Sequence, residues 1–465
     1  MKLTLKITVT LLVGILATSN LIAQKSPQKK PNIVLIMADD LGYGDIGTFG
    51  AKDIRTPNID KLAENGLKFT SFYSTSPVCS PSRFGLLTGR YPRRQGIDGV
   101  FFPESFNGIP KEELTLAEAL KTKGYSTGIV GKWHLGHHRA FLPLQNGFDE
   151  YFGIPYSNDM QATVYLRGND VVQYNIDQRY TTKTYTEEAI KFIDKHKKEP
   201  FFLYLPHTMP HLPLYASPAF EGKSKRGLYG DVIEELDWSV RQVIESLKKN
   251  GLEENTLVIF TSDNGPWTIF DIEGGSAGKL RNGKGTTFEG GQRVPTVFQW
   301  PAKIKAGSVY EDLALHLDIF PTILKLAGYQ ASLANPIDGE DISPILTNQG
   351  KRKGDEFIYY SNGKIEAFRK GDWKIRLAQP ASKNYLSGET IPATEAFLFN
   401  LKDDVGETKN LYASNPEKVA ELLAALDKKA KTIGTNVASL PQRLPADDSH
   451  IKNYFKRHPE QKKSL

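Results

Sequence analysis

Asn32-Ile33-Val34-Leu35-Ile36-Met37-Ala38-Asp39-Asp40-Leu41-Gly42 decides the fold. Residues 33–37 are all apolar, and a strand with no polar face is one buried on both faces. It runs directly into two carboxylates. Three other stretches repeat the pattern. Residues 126–130 lead into Gly131-Lys132-Trp133-His134. Residues 201–205, started by Pro200, lead into Pro206-His207 and Pro210-His211. Residues 257–261 lead into Ser262-Asp263-Asn264-Gly265. Amphipathic helical stretches lie around and between them: 115–121, with Thr115 and Glu118 at capping-box spacing; 186–196, with Ala189, Ile190 and Ile193 on one face; and 231–249, stopped by Gly251. This alternation predicts an α/β fold with a large, mostly parallel sheet sandwiched by helices. From about Glu356 the pattern changes to short strands at 357–360, 365–369, 373–377 and 396–400, then one helix at 415–431. A smaller C-terminal α+β domain with an antiparallel sheet is expected there.

The chain has 465 residues, 39% of them apolar and 24% charged, with a formal charge of +6. These values fit a globular protein with a large core. No basic block is dense enough to argue for nucleic acid, and the basic stretch from Lys452 to Lys463 reads as a solvated tail. The N-terminus reads as a secretory signal: Lys2 and Lys6, then the apolar run 7–17, then a cleavage point at Ala23-Gln24, although Leu21 is larger than such sites prefer. The run is too short and Thr-rich for a membrane span, and no cysteine follows it to carry a lipid. Residues 25–30 are polar and read as extended. The expectation is export to the periplasm or beyond, with no membrane span in the mature chain.

Open α/β sheets bind ligands at the carboxyl ends of their strands. Four such ends would bring carboxylates, an amide, a lysine and histidines to one crevice. Asp39, Asp40, Asp263 and Asn264 form an all-oxygen set that suits Ca²⁺ or Mg²⁺ rather than zinc. One Asp-Asp pair alone reads equally well as a helix cap or a solvated loop; a second pair on a second strand end favours the metal. Lys132 and His134 lie two apart and share a side of an extended segment. His211 sits on a stiff loop between Pro210 and Leu212-Pro213. His207 is ambiguous, and His137 and His138 read as surface or rim residues. Cys79 is the only cysteine. It is either a small buried hydrophobe or the centre of chemistry. It opens Cys79-Ser80-Pro81-Ser82-Arg83 at the start of an expected helix, with Pro81 in the first turn, Ser80 or Ser82 as cap, and a stop at Gly89. A group there meets unsatisfied N–H groups that attract an anion. Arg83 and the Gly283-Lys284-Gly285-Thr286 loop add positive charge. The residues together describe a metal-bearing pocket for an anionic ester.

Cys79-Ser80-Pro81-Ser82-Arg83 followed by Leu87-Thr88-Gly89-Arg90 resembles the signature of the type I sulfatases of the alkaline phosphatase superfamily. The resemblance extends through PNIVLIMADDLGYGDIG (31–47), GIVGKWHLGHH (128–138), TSDNGP (261–266), GKGTTFEGGQRVP (283–295) and LFNLKDDVGETKNL (398–411). Within the family the chain looks most like the arylsulfatase A and N-acetylgalactosamine-6-sulfatase types. The resemblance implies that Cys79 is oxidised to formylglycine (3-oxoalanine), an aldehyde that hydrates to a gem-diol. A thiolate attacking sulfur would leave a stable adduct. A gem-diol has one hydroxyl to attack and a second whose deprotonation expels sulfate and restores the aldehyde.

Carried over by position, Asp39, Asp40, Asp263 and Asn264 would bind Ca²⁺, with an oxygen of the modified Cys79 completing the site. Arg83 would hold the diol, and His134 would act as base in sulfate release. Lys132, His211 and Lys284 would grip the sulfate and bridging oxygen, with His211 and Lys284 assisting the departing alcohol. Asp263 is also placed to accept the attacking hydroxyl's proton. No member of the set is missing, which argues against a degenerate pseudoenzyme. The implied division is a signal peptide at 1–23, a catalytic domain at 24–355, and a C-terminal subdomain with a basic tail at 356–465. The implied activity is that of an exported sulfuric-ester hydrolase acting on sulfated glycans, matured by an oxygen-dependent formylglycine-generating enzyme or a radical one. Residues 146–152 would line the sugar pocket or support its rim. The competing readings are a phosphoester or phosphonate monoester hydrolase of the same superfamily, a noncatalytic glycan-binding relative, and an ordinary thiol at Cys79.

Overall fold

The computed structural model describes residues 30–160, 163–383 and 390–434; the expected signal peptide and the basic tail lie outside them. The four apolar stretches are strands: β1 (Asn32–Ala38), β2 (Ser126–Val130), β4 (Phe201–Pro206) and β5 (Thr256–Ser262), with a further strand, β3 (Glu150–Gly153), between β2 and β4 in the chain. They occupy the middle of a ten-stranded sheet, adjacent in the order β5-β1-β4-β2-β3 and all parallel. Ser308–Tyr310, Leu67–Phe69 and Thr296–Gln299 extend the sheet beyond β5; Val164–Arg167 and Asp170–Tyr174 extend it beyond β3.

Both faces of β1 are covered, as its unbroken apolar run requires. Ile33, Leu35 and Met37 join one core layer; Val34, Ile36 and Ala38 join the other. On the second face lie the helices α2 (Thr181–His196) and α3 (Gly227–Lys249), through Tyr185, Ala189, Phe192, Val232, Leu236 and Val243. On the first lies α1 (Cys79–Thr88), through Phe84, Leu86 and Leu87. The short helix Leu116–Lys121 carries the expected capping box: Thr115 Oγ1 accepts from the Glu118 N–H at 3.1 Å, and Glu118 Oε2 accepts from the Thr115 N–H at 2.8 Å.

Two helices start earlier than the sequence reading placed them. Asp231 looked like the first residue of its helix. It sits a turn inside α3 and accepts the N–H groups of Gly222, Lys223 and Ser224, so it fastens the preceding loop. α2 begins at Thr181 despite its Thr-rich first turn, because Thr181, Thr182 and Tyr185 are buried; packing overrides weak helix propensity here.

The C-terminal strands β6 (Glu356–Ser361), β7 (Lys364–Lys370), β8 (Trp373–Arg376) and β9 (Phe397–Asn400) form a separate antiparallel sheet in sequence order. Helix α4 (Pro416–Ile433) covers it with Val419, Leu422, Leu426, Ala430 and Ile433. The same apolar cluster takes in Tyr73, Tyr91 and Leu315 from the large-sheet side. Beside it lies a buried polar knot. Glu289 meets Tyr73, Tyr359, Arg293 and Lys374, and Lys374 also reaches Glu407 at 2.8 Å.

Candidate active site

The register of the parallel strands builds the site. β1 and β5 pair Ala38 with Ser262. The next two positions of each strand therefore stand side by side: Asp39 with Asp263, and Asp40 with Asn264. The Asp263 N–H donates to Ala38 O at 3.2 Å, the Asp40 N–H to Asp263 Oδ1 at 3.1 Å, and Asn264 Nδ2 to Asp40 Oδ1 at 2.7 Å. On the other flank, β2 runs into Gly131, where φ is +135° and an added Cβ would lie 1.9 Å from the Pro206 carbonyl oxygen. Only glycine fits there. Lys132 follows, its N–H bonded to that same carbonyl at 2.8 Å. Two non-glycine residues of the cluster, Asp40 (φ +64°) and His134 (φ +58°), hold left-handed backbone, a strained geometry found most often at functional sites.

Cys79 is the first residue of α1. Neither Ser80 nor Ser82 caps this helix, contrary to the sequence expectation: Val78 is the N-cap and offers no side-chain bond. The helix starts inside the protein, so both hydroxyls are used elsewhere. Ser80 Oγ accepts from the Phe101 N–H at 3.0 Å, and Ser82 Oγ donates to Asp263 O at 2.5 Å. The first-turn amides thus keep their affinity for an anion. Cys79 Sγ lies 3.7 Å from Asp39 Oδ1. It falls in two close groups of ligating atoms, one with Asp39 and Asp263 and one with Asp40 and His211.

Three buried cations answer the three carboxylates. Lys132 Nζ is 2.5 Å from Asp39 Oδ2, and Lys284 Nζ is 2.7 Å from Asp40 Oδ2. Arg83 donates to Asp263 Oδ2 from Nε at 3.0 Å and from Nη2 at 2.8 Å, and to the Lys132 carbonyl from Nη1 at 3.0 Å. Burial disfavours the Asp39 charge, but Lys132, Arg83 and His211 outweigh it and hold the carboxyl below its usual range. Burial and the Asp39 charge push Asp263 up. Burial also pushes the Cys79 thiol far up and His134 down. Burial opposes the Lys284 charge, yet Asp40 raises this lysine well above its ordinary value. His211 Nε2 stands 3.7 Å from Asp40 Oδ2, while its Nδ1 bonds the Leu212 carbonyl at 2.5 Å.

An oxygen-binding cation suits this donor set. Three carboxylates converge, and the amide oxygen Oδ1 of Asn264 is buried without a hydrogen-bond partner. Such an orphaned acceptor calls for a cation or a donor.

All ten residues singled out from the sequence belong to this buried cluster or its immediate supports. His207 does not. It is buried against α3, with Nε2 3.2 Å from Ser239 Oγ. Of residues 146–152, Phe148 is buried in the core, and 149–152 line a cavity of about 380 Å³ with Arg167, Glu188 and Lys195, whose lining includes none of the ten. The sequence reading missed several supports. Ser157 Oγ accepts from Lys132 Nζ at 3.1 Å. The Phe101 carbonyl meets His134 Nε2 at 2.8 Å. The Trp267 ring lies 5.3 Å from the His211 ring and 4.2 Å from Lys284 Nζ. His316 bonds Thr261 behind the strand ends at 3.1 Å. Ser157 follows β3, so the strand-end rule would have found it had so short a strand been recognised.

The sulfatase family model matches residues 31–329. The chain belongs to the sulfatase family. A second model, the C-terminal region of N-sulphoglucosamine sulphohydrolase, matches residues 282–435 of this sulfatase. Rat N-acetylgalactosamine-6-sulfatase is 41% identical over 394 residues, covering 79% of this chain and 75% of the rat protein. Human arylsulfatase A is 38% identical, covering 86% of each chain. A solved structure described under glycosaminoglycan metabolism by Bacteroides thetaiotaomicron superposes with a TM-score of 0.81 at 30% identity, covering 87% of this chain and all of the other. The protein is a sulfuric ester hydrolase. Among its described residues, no helix is long and apolar enough to cross a membrane.

Proposed function

We propose that this sulfatase removes sulfate from sulfated carbohydrates, with Cys79 converted to formylglycine and Ca²⁺ held by Asp39, Asp40, Asp263 and Asn264. One observation carries the reading. The first residue of α1, Cys79, lies among three buried carboxylates, an orphaned amide oxygen and three cations, of which Lys132 and Arg83 are fully buried and Lys284 nearly so. One relative is an N-acetylgalactosamine-6-sulfatase and one similar solved structure is described under glycosaminoglycan metabolism, which is the support for carbohydrate as the substrate class.

When bound, the cation supplies charge that acidifies a nucleophile beside it and neutralises sulfate oxygens. When formed, the hydrated aldehyde supplies one hydroxyl for attack and one for release. The chain's own residues do the rest. Arg83 is fixed by Asp263 and the Lys132 carbonyl and orients residue 79. His134 gives Nε2–H to the Phe101 carbonyl, which can only accept. Its Nδ1 is therefore the bare nitrogen, and it is buried without a partner, ready to take the proton whose loss releases sulfate. Lys132, Lys284 and His211 grip sulfate oxygens. Lys284, held charged by Asp40, and His211 are placed to serve the departing alcohol. Residues 1–23 act as an export signal to the periplasm or outside the cell. The division into 24–355 and 356–465 separates a catalytic domain from its C-terminal subdomain.

The test is matured protein from its native host. Mass spectrometry of the peptide carrying residue 79 should show sulfur lost and an aldehyde gained; fully active enzyme with an intact thiol would refute the mechanism. A desulfation screen on defined sulfated mono- and oligosaccharides, run beside aryl sulfate and aryl phosphate, tests the substrate. Dominant phosphatase activity would favour the phosphoester alternative, and binding of sugars without turnover the noncatalytic one.

A further inference from the structure

Phe106 is 80% exposed, more than any other large hydrophobic side chain among the described residues. A single exposed Phe needs no explanation, but this one ends a ladder of rings. It stacks on His138, with centroids 5.1 Å apart and planes at 21°. The His138 ring lies 4.5 Å from His137, and His137 meets the Tyr156 ring edge-on at 5.8 Å.

Each part of the ladder is tied to the candidate active site. Phe101, five residues before Phe106, bonds Ser80 through its N–H and His134 through its carbonyl. His137 and His138 lie three and four residues after His134, and the Ile109 N–H to Leu135 O bond, at 2.9 Å, joins the two loops. Tyr156 precedes Ser157, the partner of Lys132 Nζ. The ladder therefore rises from the sulfate pocket and ends in an aromatic face open to solvent.

We propose that the stacked Phe106–His138 pair is a platform for an uncharged pyranose ring of the sulfated substrate, a subsite that rests on the carbohydrate reading above. A pyranose presents a C–H face that matches an exposed aromatic face and hydroxyls at its edge. Glu104, two residues from Phe106, has a buried Oε2 with no hydrogen-bond partner, an acceptor for a sugar hydroxyl. The Glu104 carboxylate, two residues from the platform, also repels a uronate and favours uncharged hexose or hexosamine rings.

The experiment uses the matured full chain and the Phe106→Ala, Phe106→Trp and Glu104→Gln variants. The probes are a sulfated hexosamine oligosaccharide, a sulfated oligosaccharide bearing a uronate beside the sulfated ring, and inorganic sulfate as product inhibitor. Phe106→Ala should lower kcat/KM on the hexosamine substrate about tenfold while inhibition by inorganic sulfate stays unchanged, and Phe106→Trp should restore most of the loss. Glu104→Gln should narrow the preference for the hexosamine over the uronate substrate. If Phe106→Ala desulfates the oligosaccharide as fast as the parent, or weakens inorganic sulfate equally, the platform is wrong and the carbohydrate reading survives. If the parent desulfates aryl sulfate but no saccharide, the carbohydrate reading itself fails and the platform falls with it.

Discussion

Replacing Lys374 with Met should destabilise the fold by about 3 kcal/mol, although Lys374 lies outside the candidate active site. Lys374, on β8, is fully buried. Its Nζ sits 3.0 Å from Glu289 Oε1 and 2.8 Å from Glu407 Oε1. Without it, Glu289 keeps the hydroxyls of Tyr73 and Tyr359 and the Arg293 guanidinium. Glu407 keeps only the Glu289 N–H, at 2.6 Å, among these contacts. Stranding a buried charge costs about 3–5 kcal/mol. The lower end applies, because burial already pushes the Glu407 carboxyl up and it can escape by protonation. That escape fixes the sign of the pH dependence. In the variant, folded Glu407 holds its proton to higher pH than the unfolded chain does. The loss therefore grows as pH rises above the ordinary glutamate value of about 4.3. Urea denaturation at pH 5 and pH 8 measures it. Adding Glu407→Gln to Lys374→Met removes the stranded charge and should recover about 2 kcal/mol. A single variant within about 0.5 kcal/mol of the parent, or a double variant that loses the sum of both single changes, would refute the reasoning. The helix opened by Glu289 begins five residues after Lys284, so turnover should fall in the single variant as well.

Gly131→Ala should destabilise the protein by about 3 kcal/mol or more and displace Lys132, because its Cβ would overlap the Pro206 carbonyl; thermal melting and turnover read the two effects separately. Chelation with EGTA should abolish turnover and lower the melting temperature, both restored by Ca²⁺; full activity in a chelated, metal-free sample would rule the cation out. Asp237 gives a pH signature independent of the site. It caps the Pro57–Glu64 helix by accepting the N–H groups of Asn58 and Ile59, and burial pushes its carboxyl up from 3.8 to about 6. Folded protein binds the extra proton between those values, so this group lowers stability by up to about 3 kcal/mol as pH rises from 4 to 6. Asp237→Asn should flatten that segment of the stability–pH curve, and an unchanged curve would show that Asp237 is not the cause.

The parts of this molecule that were legible in its sequence share a physical reason. β1, β4 and β5 read cleanly because a strand buried on both faces has no polar period to confuse with a helix. The residues just past such a strand are polar only where the fold can use them. Asp39, Asp40, Asp263 and Asn264 were visible on that ground, and the β1–β5 register then placed them side by side. β3 failed the same test. It has four residues and opens on Glu150, so its ordered carboxyl-end segment, with Ser157, went unseen. The caps of α1 failed for another reason. Ser80 and Ser82 carry the right side chains for capping, but the helix begins in the interior, where Phe101 and Asp263 compete for those hydroxyls.

His134 shows where residue types stop being informative. Its place after β2 marked it as a candidate, yet what prepares it for proton transfer is the carbonyl of Phe101. Any residue at position 101 would supply that oxygen, so no side-chain pattern could announce it. The information lies in the path of the 101–109 loop, which the Ser80 hydroxyl and the Leu135 carbonyl hold in place. The same path carries Phe106 out to solvent beside His138. One loop thus sets both which nitrogen of His134 is bare and what surface a substrate meets first. A change that moves the loop, such as Ser80→Ala, should therefore alter the pH profile of turnover and the discrimination between sugars together, whereas Phe106→Ala should alter only the second.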